Sequence, residues 1–253
     1  MHDFWERHDI GYRLFGQFCN PTDWFNIIKT IAYHFGWADR KELSRNILDV
    51  GAGTGHNTEA ILEHMTAANG CRCTATAVEP SRLANVRINE HLVSETAGGY
   101  LRQTYASYGG VGAAKYDGAL FLHSTYYIPS CDQVVTDCIG RLRPGGVLQV
   151  LSLSRSSPFF KVRGSLQPFL AEDIAELSER SGWEYQVIPL PSHFHLRRSI
   201  MLNDSAVRHL ERFICDGSTG DASGFKERLY AHLGSDDNDG VDLEDKLIRV
   251  IRR

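Results

Sequence analysis

The stretch Asp49-Val50-Gly51-Ala52-Gly53-Thr54-Gly55 constrains this chain more than any other. It follows a short apolar run, NILDV, and precedes helix-forming residues from His56 to Met65. Glycines let a backbone turn sharply and approach a ligand with no Cβ in the way. The helix that follows offers unpaired N–H groups and the positive end of its dipole. Dinucleotides, phosphates and adenosyl groups can all use such a loop. The spacing here is GxGxG, and position 56 is His rather than the third glycine of the dinucleotide fingerprint. There is no GK[ST], which excludes a phosphate-gripping P-loop.

Strand and helix patterns alternate around the loop. CRCTATAVEP reads as a strand, Ser81 to Ser94 as a helix and YDGALFL (116–122) as a buried strand. Asp132 to Leu142 reads as a helix ending in an RPGG turn before the strand VLQVLSLS (147–154). The pattern predicts an α/β fold with a doubly wound, mostly parallel sheet. Beyond it, AEDIAELSERSG reads as a helix capped by Gly182, followed by a strand from Glu184 to Leu190. Two more helices, Asp204 to Cys215 and Gly224 to Leu233, precede a closing strand, KLIRVI. Near the start, Thr22 reads as the N-cap of a helix whose apolar face is Trp24, Ile27, Ile28, Ile31, Ala32 and Phe35, closed by Gly36. Asp3 to Phe18 also reads as helical, its aromatics most simply core. The loops at 95–99, 155–165 and 216–223 are rich in Gly and Ser and read as movable. At 253 residues the expectation is one domain: a helical lid (1–40), a ligand-binding core (41–154), and substrate-side elements with a helical insertion and the last strands (155–253).

Composition removes other classes. The net charge is −4, with no basic stripe, which argues against nucleic acid as a partner. No window reaches the ~18 uninterrupted apolar residues of a membrane span, and the start lacks the basic end of an export signal. The six cysteines include no CxxC pair, so reduced, structural thiols in a cytoplasmic protein are expected, with no metal. SDDNDG fails as a calcium loop, because in register with Gly240 its first position is Ser235 and its twelfth Lys246. His193 and His195 lack further ligands at diagnostic spacing. No GxSxG or [ND]PPY occurs.

Two further features accompany the loop. Glu79, in AVEPS, stands at the end of the next strand, where a carboxylate can accept both hydrogen bonds of a ribose diol. The strand 116–122 ends in Leu122 and His123 beside the same crevice. With LRPGG (142–146), this set resembles the class I S-adenosylmethionine-dependent methyltransferases. The resemblance implies a seven-stranded sheet whose last strand, here KLIRVI, inserts antiparallel. It also implies that S-adenosylmethionine is held by Asp49, Gly51, Ala52, Gly53, Gly55, Asn57, Glu79, Pro80, Ser81, Ser107, Leu122 and His123. A NAD-binding protein is the alternative from the loop alone.

YDGALFLHSTYYI, FCNPTDW and VDLEDKLIRVI are further similar to the histamine N-methyltransferases. That resemblance implies an amine substrate held by Asp23, allowing one gap, and by Asp245, where those enzymes have an amide; His123 stands where they have Gln. Tyr12, Phe15, Tyr126 and Tyr127 are candidate aromatic walls, favouring a positively charged donor through cation–π contact. His123 is the candidate to accept or relay a proton, with Asp23 holding the cationic amine. The expected activity is N-methylation of a small aromatic or heterocyclic amine by direct displacement, in a monomer or homodimer. Two alternatives stand beside it: C- or O-methylation of an indole or phenol, and a non-catalytic adenosyl-binding protein.

Overall fold

The computed structural model describes residues 4–36, 44–70, 72–81, 101–105, 107–163, 169–215, 222–233 and 241–253, together with Ala84, Val86 and Ile88. Two helices open the described chain, α1 (Phe4–Gly16) and α2 (Pro21–His34). The alternating part runs β1 (Ser44–Val50), α3 (His56–Asn69), β2 (Arg72–Val78), β3 (Leu101–Tyr105), β4 (Tyr116–Leu122), α4 (Cys131–Arg141) and β5 (Leu142–Leu153). After it come α5 (Pro158–Arg163), α6 (Ala171–Arg180), β6 (Glu184–Phe194), α7 (Arg198–Met201), α8 (Asp204–Cys215), α9 (Ala222–Leu233) and β7 (Val241–Ile251).

The described strands form one sheet in the order β3-β2-β1-β4-β5-β7-β6. Strands β1 to β5 are parallel, and β7 lies antiparallel between β5 and β6. β1 and β4 are buried almost throughout, because helices cover both faces of the sheet and leave no side for polar residues. Neighbouring residues therefore feed different cores. Ile47 packs with α2 (Ile27, Ile28, Ile31) and α3 (Ile61, Leu62, Met65), while Leu48 packs with α4 (Val135, Cys138, Ile139) and α6 (Ile174). A third cluster joins Phe18, Phe194, Val207, Leu210, Ile214, Phe225 and Leu229 beyond the strand ends.

Several local expectations change. Asn20, not Thr22, caps α2, its side chain accepting from the Thr22 N–H, and Pro21 takes the first helical position, where its missing N–H costs nothing. The α2 helix is no loose cover, since its apolar face is part of the sheet's core. RPGG lies inside β5 as a break in register: Tyr116 pairs with Leu142, but Gly118 pairs with Val147. β3 gave no sequence signal, being short and mostly polar. Pro158–Arg163 is helical inside what reads as a loop. The helix expected from Ser81 to Ser94 lies mostly outside the described residues, as do the loop 95–99 and, up to 221, the loop expected at 216–223, whose last two positions open α9. Gly182 does close α6: its N–H bonds to Glu179 and that of Trp183 to Ser178, the paired bonds of a Schellman motif.

No helix among the described residues is long and apolar enough to cross a membrane. Nor do the described residues bring together three or more His, Cys, Asp or Glu able to hold a metal.

Candidate active site

One cleft of about 990 Å³ opens where β1, β2 and β4 end. Its floor is the glycine loop, in which Gly51, Gly53 and Gly55 all have positive φ. Gly51 is constrained twice, by its φ of +79° and by Ser124, whose Cβ lies 2.4 Å from where an alanine Cβ would stand. Ser124 also ties itself to the loop by donating to the Val50 carbonyl at 2.6 Å. Glu79 is buried with both carboxylate oxygens oriented: Oε2 accepts from the Gly53 N–H at 2.9 Å and Oε1 from the Ser81 N–H at 2.8 Å. A carboxylate so fixed lines the cleft with its position set by the backbone around it.

Asp49 is 1% exposed and lines the same floor. The Thr58 hydroxyl donates to its Oδ2, while Oδ1 has no partner among the described residues. Burial pushes its carboxyl up to about 7, against the pull of Thr58 and with a push from Glu79. An orphaned buried oxygen is costly unless a donor meets it, and an adenosyl amino acid brings an ammonium donor. Ala52, Asn57, Pro80, Ser107 and Leu122 complete this half of the cleft. Gly55 and Ser81 are not among the lining residues. Gly55 starts α3, and Ser81 holds Glu79.

The other half is aromatic. Tyr12, Phe15, Tyr126 and Tyr127 line it as expected, with Phe159 and Phe213. Phe15 stands 5.3 Å from Phe159 and 5.5 Å from Phe213, ring centre to ring centre, so these walls brace one another. His123 has a φ of +49°, a strained position for a residue with a side chain, and its backbone N–H is held by the Leu151 carbonyl. Asp245 reaches in from β7. It is 4% exposed, its Oδ2 accepts from the Ser192 hydroxyl at 3.1 Å, and its Oδ1 has no partner among the described residues. Burial holds its carboxyl above the usual range, with His123 and Ser192 pulling the other way.

Asp23 is not brought to this group and does not line the cleft. Its Oδ2 accepts from both the backbone N–H (2.9 Å) and Nδ1 (2.8 Å) of His193, whose Nε2 meets Asp242 at 3.0 Å. Burial pushes the Asp23 carboxyl up, but the bonds from His193 outweigh it and hold it below the usual range. A substrate would have to compete with that pair. Trp24, next along α2, is the residue sequence reasoning missed. Its ring stacks on His123 at 6.0 Å, and its Nε1–H donates to Asn57 at 2.9 Å, joining α2 to the start of α3. Read as part of an apolar stripe, a tryptophan hides its polar edge, and only an unmatched indole N–H hints at a partner.

A parallel sheet with one inserted antiparallel strand, a glycine loop after β1 and an acid after β2 defines a Rossmann-like protein built to hold an adenosyl group. The comparisons narrow this. Residues 23–202 match the family model described as "Methyltransferase domain". The chain belongs to that family and is an S-adenosylmethionine-dependent methyltransferase. The fold resembles that of the YcgJ protein of Bacillus subtilis, with a TM-score of 0.59 and 13% identity over 92% of this chain and 99% of that one. An S-adenosylmethionine-dependent methyltransferase from Thiobacillus denitrificans, in complex with S-adenosyl-L-homocysteine, gives 0.54 and 13% over 92% of each chain. Magnesium protoporphyrin IX methyltransferase from Synechocystis, with bound S-adenosylmethionine, gives 0.53 and 10% over 92% of this chain and 81% of that one. No curated protein matches the sequence.

Proposed function

We propose that this methyltransferase acts on the nitrogen of a small aromatic or heterocyclic amine. One observation carries the reading: the buried carboxylate of Asp245 ends in an aromatic chamber with Oδ1 free of any described partner. A cationic amine entering an apolar pocket loses its hydration, and a facing carboxylate offsets that cost. The resemblance of YDGALFLHSTYYI and of the chain's two ends to the histamine N-methyltransferases supports the same class. In this reading the amine-holding role falls to Asp245 alone and not to the expected pair, since Asp23 is engaged by His193.

When bound, S-adenosylmethionine supplies a methyl carbon made electrophilic by its sulfonium. Glu79 and Asp49 hold their carboxylates at the floor where the ribose and the amino group of such a molecule would be read. Tyr12, Phe15 and Phe213 exclude water and confine the acceptor between the floor and Asp245. No nucleophile from the protein is called for.

A second reading, O- or C-methylation of a phenol or indole, draws on His123 Nε2 standing 3.9 Å from Asp245 Oδ2, a pair able to take a proton from a weaker acid. Radiolabelled methyl transfer to a panel of amines, indoles and phenols separates the two. With an accepted amine, Asp245→Asn should raise KM tenfold or more, the equivalent of about 1.4 kcal/mol, and leave S-adenosylhomocysteine binding unchanged. Wild-type KM in that variant would overturn the amine reading.

A further inference from the structure

The hydrogen bonds around Tyr126 decide which nitrogen of His123 carries the proton. Tyr126 is buried, and its hydroxyl oxygen accepts from the backbone N–H of Leu153 and from the Ser152 hydroxyl, the latter at 3.3 Å. A phenolic oxygen has two lone pairs for accepting, and both are taken. The 3.0 Å contact between this oxygen and His123 Nδ1 therefore runs from the tyrosine: the phenol donates and Nδ1 accepts. In the neutral ring the proton then sits on Nε2. That nitrogen faces Asp245 Oδ2 at 3.9 Å, too far for a hydrogen bond between them. A neutral His123 so held is a donor towards the cleft and has no lone pair there for a second proton.

We infer that Asp245, and not His123, takes the proton from the methyl acceptor, and that Tyr126 is the positioning residue that fixes His123 as an N–H donor beside it. The inference rests on reading this half of the cleft as the acceptor site. The step is a simple one. A proton leaves the ammonium nitrogen of a cationic acceptor for Asp245 Oδ1, the bonding pair stays on nitrogen as the lone pair that is methylated, and the carboxylate becomes a carboxylic acid. A neutral amine such as aniline is methylated first and gives up its proton from the methylated nitrogen. Water takes that proton when the product leaves. The Nε2–H of His123 faces that carboxylate and presents no lone pair to the acceptor.

The other groups near Asp245 are poor rivals. Cys19 faces it from the turn after α1, and burial, with the Asp245 charge second, pushes that thiol up to about 12. Burial and the same charge push the Tyr126 phenol up as well. Ser192, from β6, already donates to Oδ2. Trp24, stacked on His123, does not titrate. Among the described residues named here, Asp245 is the one that is both placed and able to accept.

Nitrogen-15 NMR of histidine-labelled protein, with S-adenosylhomocysteine added and His123 assigned through His123→Gln, reads the tautomer without turnover. The expected spectrum shows Nε2 protonated and Nδ1 as acceptor, with mixed tautomers in Tyr126→Phe. An Nδ1–H tautomer in the wild type overturns the inference. The pH profile of kcat/KM supplies a second readout, measured on whichever of 2-phenylethylamine, aniline and phenol is methylated. His123→Gln should lower the rate but keep the rising limb, while Asp245→Asn should flatten it and lose at least tenfold in kcat. The reverse pattern overturns the inference. If only phenol is methylated, the amine reading fails and the proton assignment is judged on the same limb. If none is methylated, the amine reading fails and the spectrum alone decides the pairing of Tyr126 with His123.

Discussion

At Gly51 a backbone requirement and a packing requirement fall on one residue. Alanine there would have to hold a φ of +79° and push its Cβ to 2.4 Å from that of Ser124. The left-handed conformation alone costs a residue with a side chain about 1–2 kcal/mol. Gly51→Ala should therefore lower the melting temperature and weaken S-adenosylhomocysteine binding by tenfold or more in calorimetry. Adding Ser124→Gly should restore only part of the loss, because the clash goes and the strained φ stays. Full recovery would show that crowding was the whole effect. Residues of this kind are legible in a sequence because the backbone demand shows in the residue type. Gly51 was readable for that reason, and Glu79 and His123 because each follows a strand that ends beside the loop. Asp23 was not. Its place at a helix start is a local fact, but its capture by His193, 170 positions away, leaves no mark in periodicity.

At the scale of elements, the tie that holds the far ends of β5 and β7 is Glu172, at the start of α6. It accepts from Ser154 Oγ (2.7 Å), the Arg155 N–H (3.0 Å) and Lys246 Nζ (2.8 Å). Burial pulls this carboxyl up, yet those donors outweigh it and hold it down at about 2. A carboxyl depressed in the folded state contributes stability above its unfolded value, near 4.3, and loses it as pH falls towards 2. Glu172→Gln should cost about 1–3 kcal/mol at pH 7, read by denaturant unfolding, and the gap to wild type should close between roughly pH 4.5 and 2. A gap that stayed constant with pH would mean that the amide loses packing rather than charge. The tie also fixes Lys246, next to Asp245 on β7. Elements with a strong pattern, β1, β4 and α8, were legible almost to the residue. The polar strand β3 and the register break at RPGG were not, since pairing with a neighbour, rather than local pattern, makes them part of the sheet.

For the molecule as a whole, the helices expected as a lid wall the cleft and also pack against the body. α1 lies so close on α8 that a Cβ at Gly11 would stand 2.3 Å from the His209 carbonyl oxygen and 2.6 Å from the Phe213 Cβ. Gly11→Ala should force the helices apart and destabilise the fold by about 1–3 kcal/mol, with amide exchange rising in both helices together. Unchanged exchange in α8 would mean that α1 yields alone. The sheet order carries a further consequence. β7, the last of the described strands to leave a ribosome, takes the place between β5 and β6 and pairs with both. Until it arrives, β6 has no neighbour in the sheet, β5 shows an open edge, and Asp245 is missing from the cleft. The glycine loop, Glu79 and His123 are thus all synthesised well before Asp245, on which the proposed acceptor pocket depends. The residues proposed to read the methyl donor precede, in the order of synthesis, the carboxylate proposed to let the chain spend it.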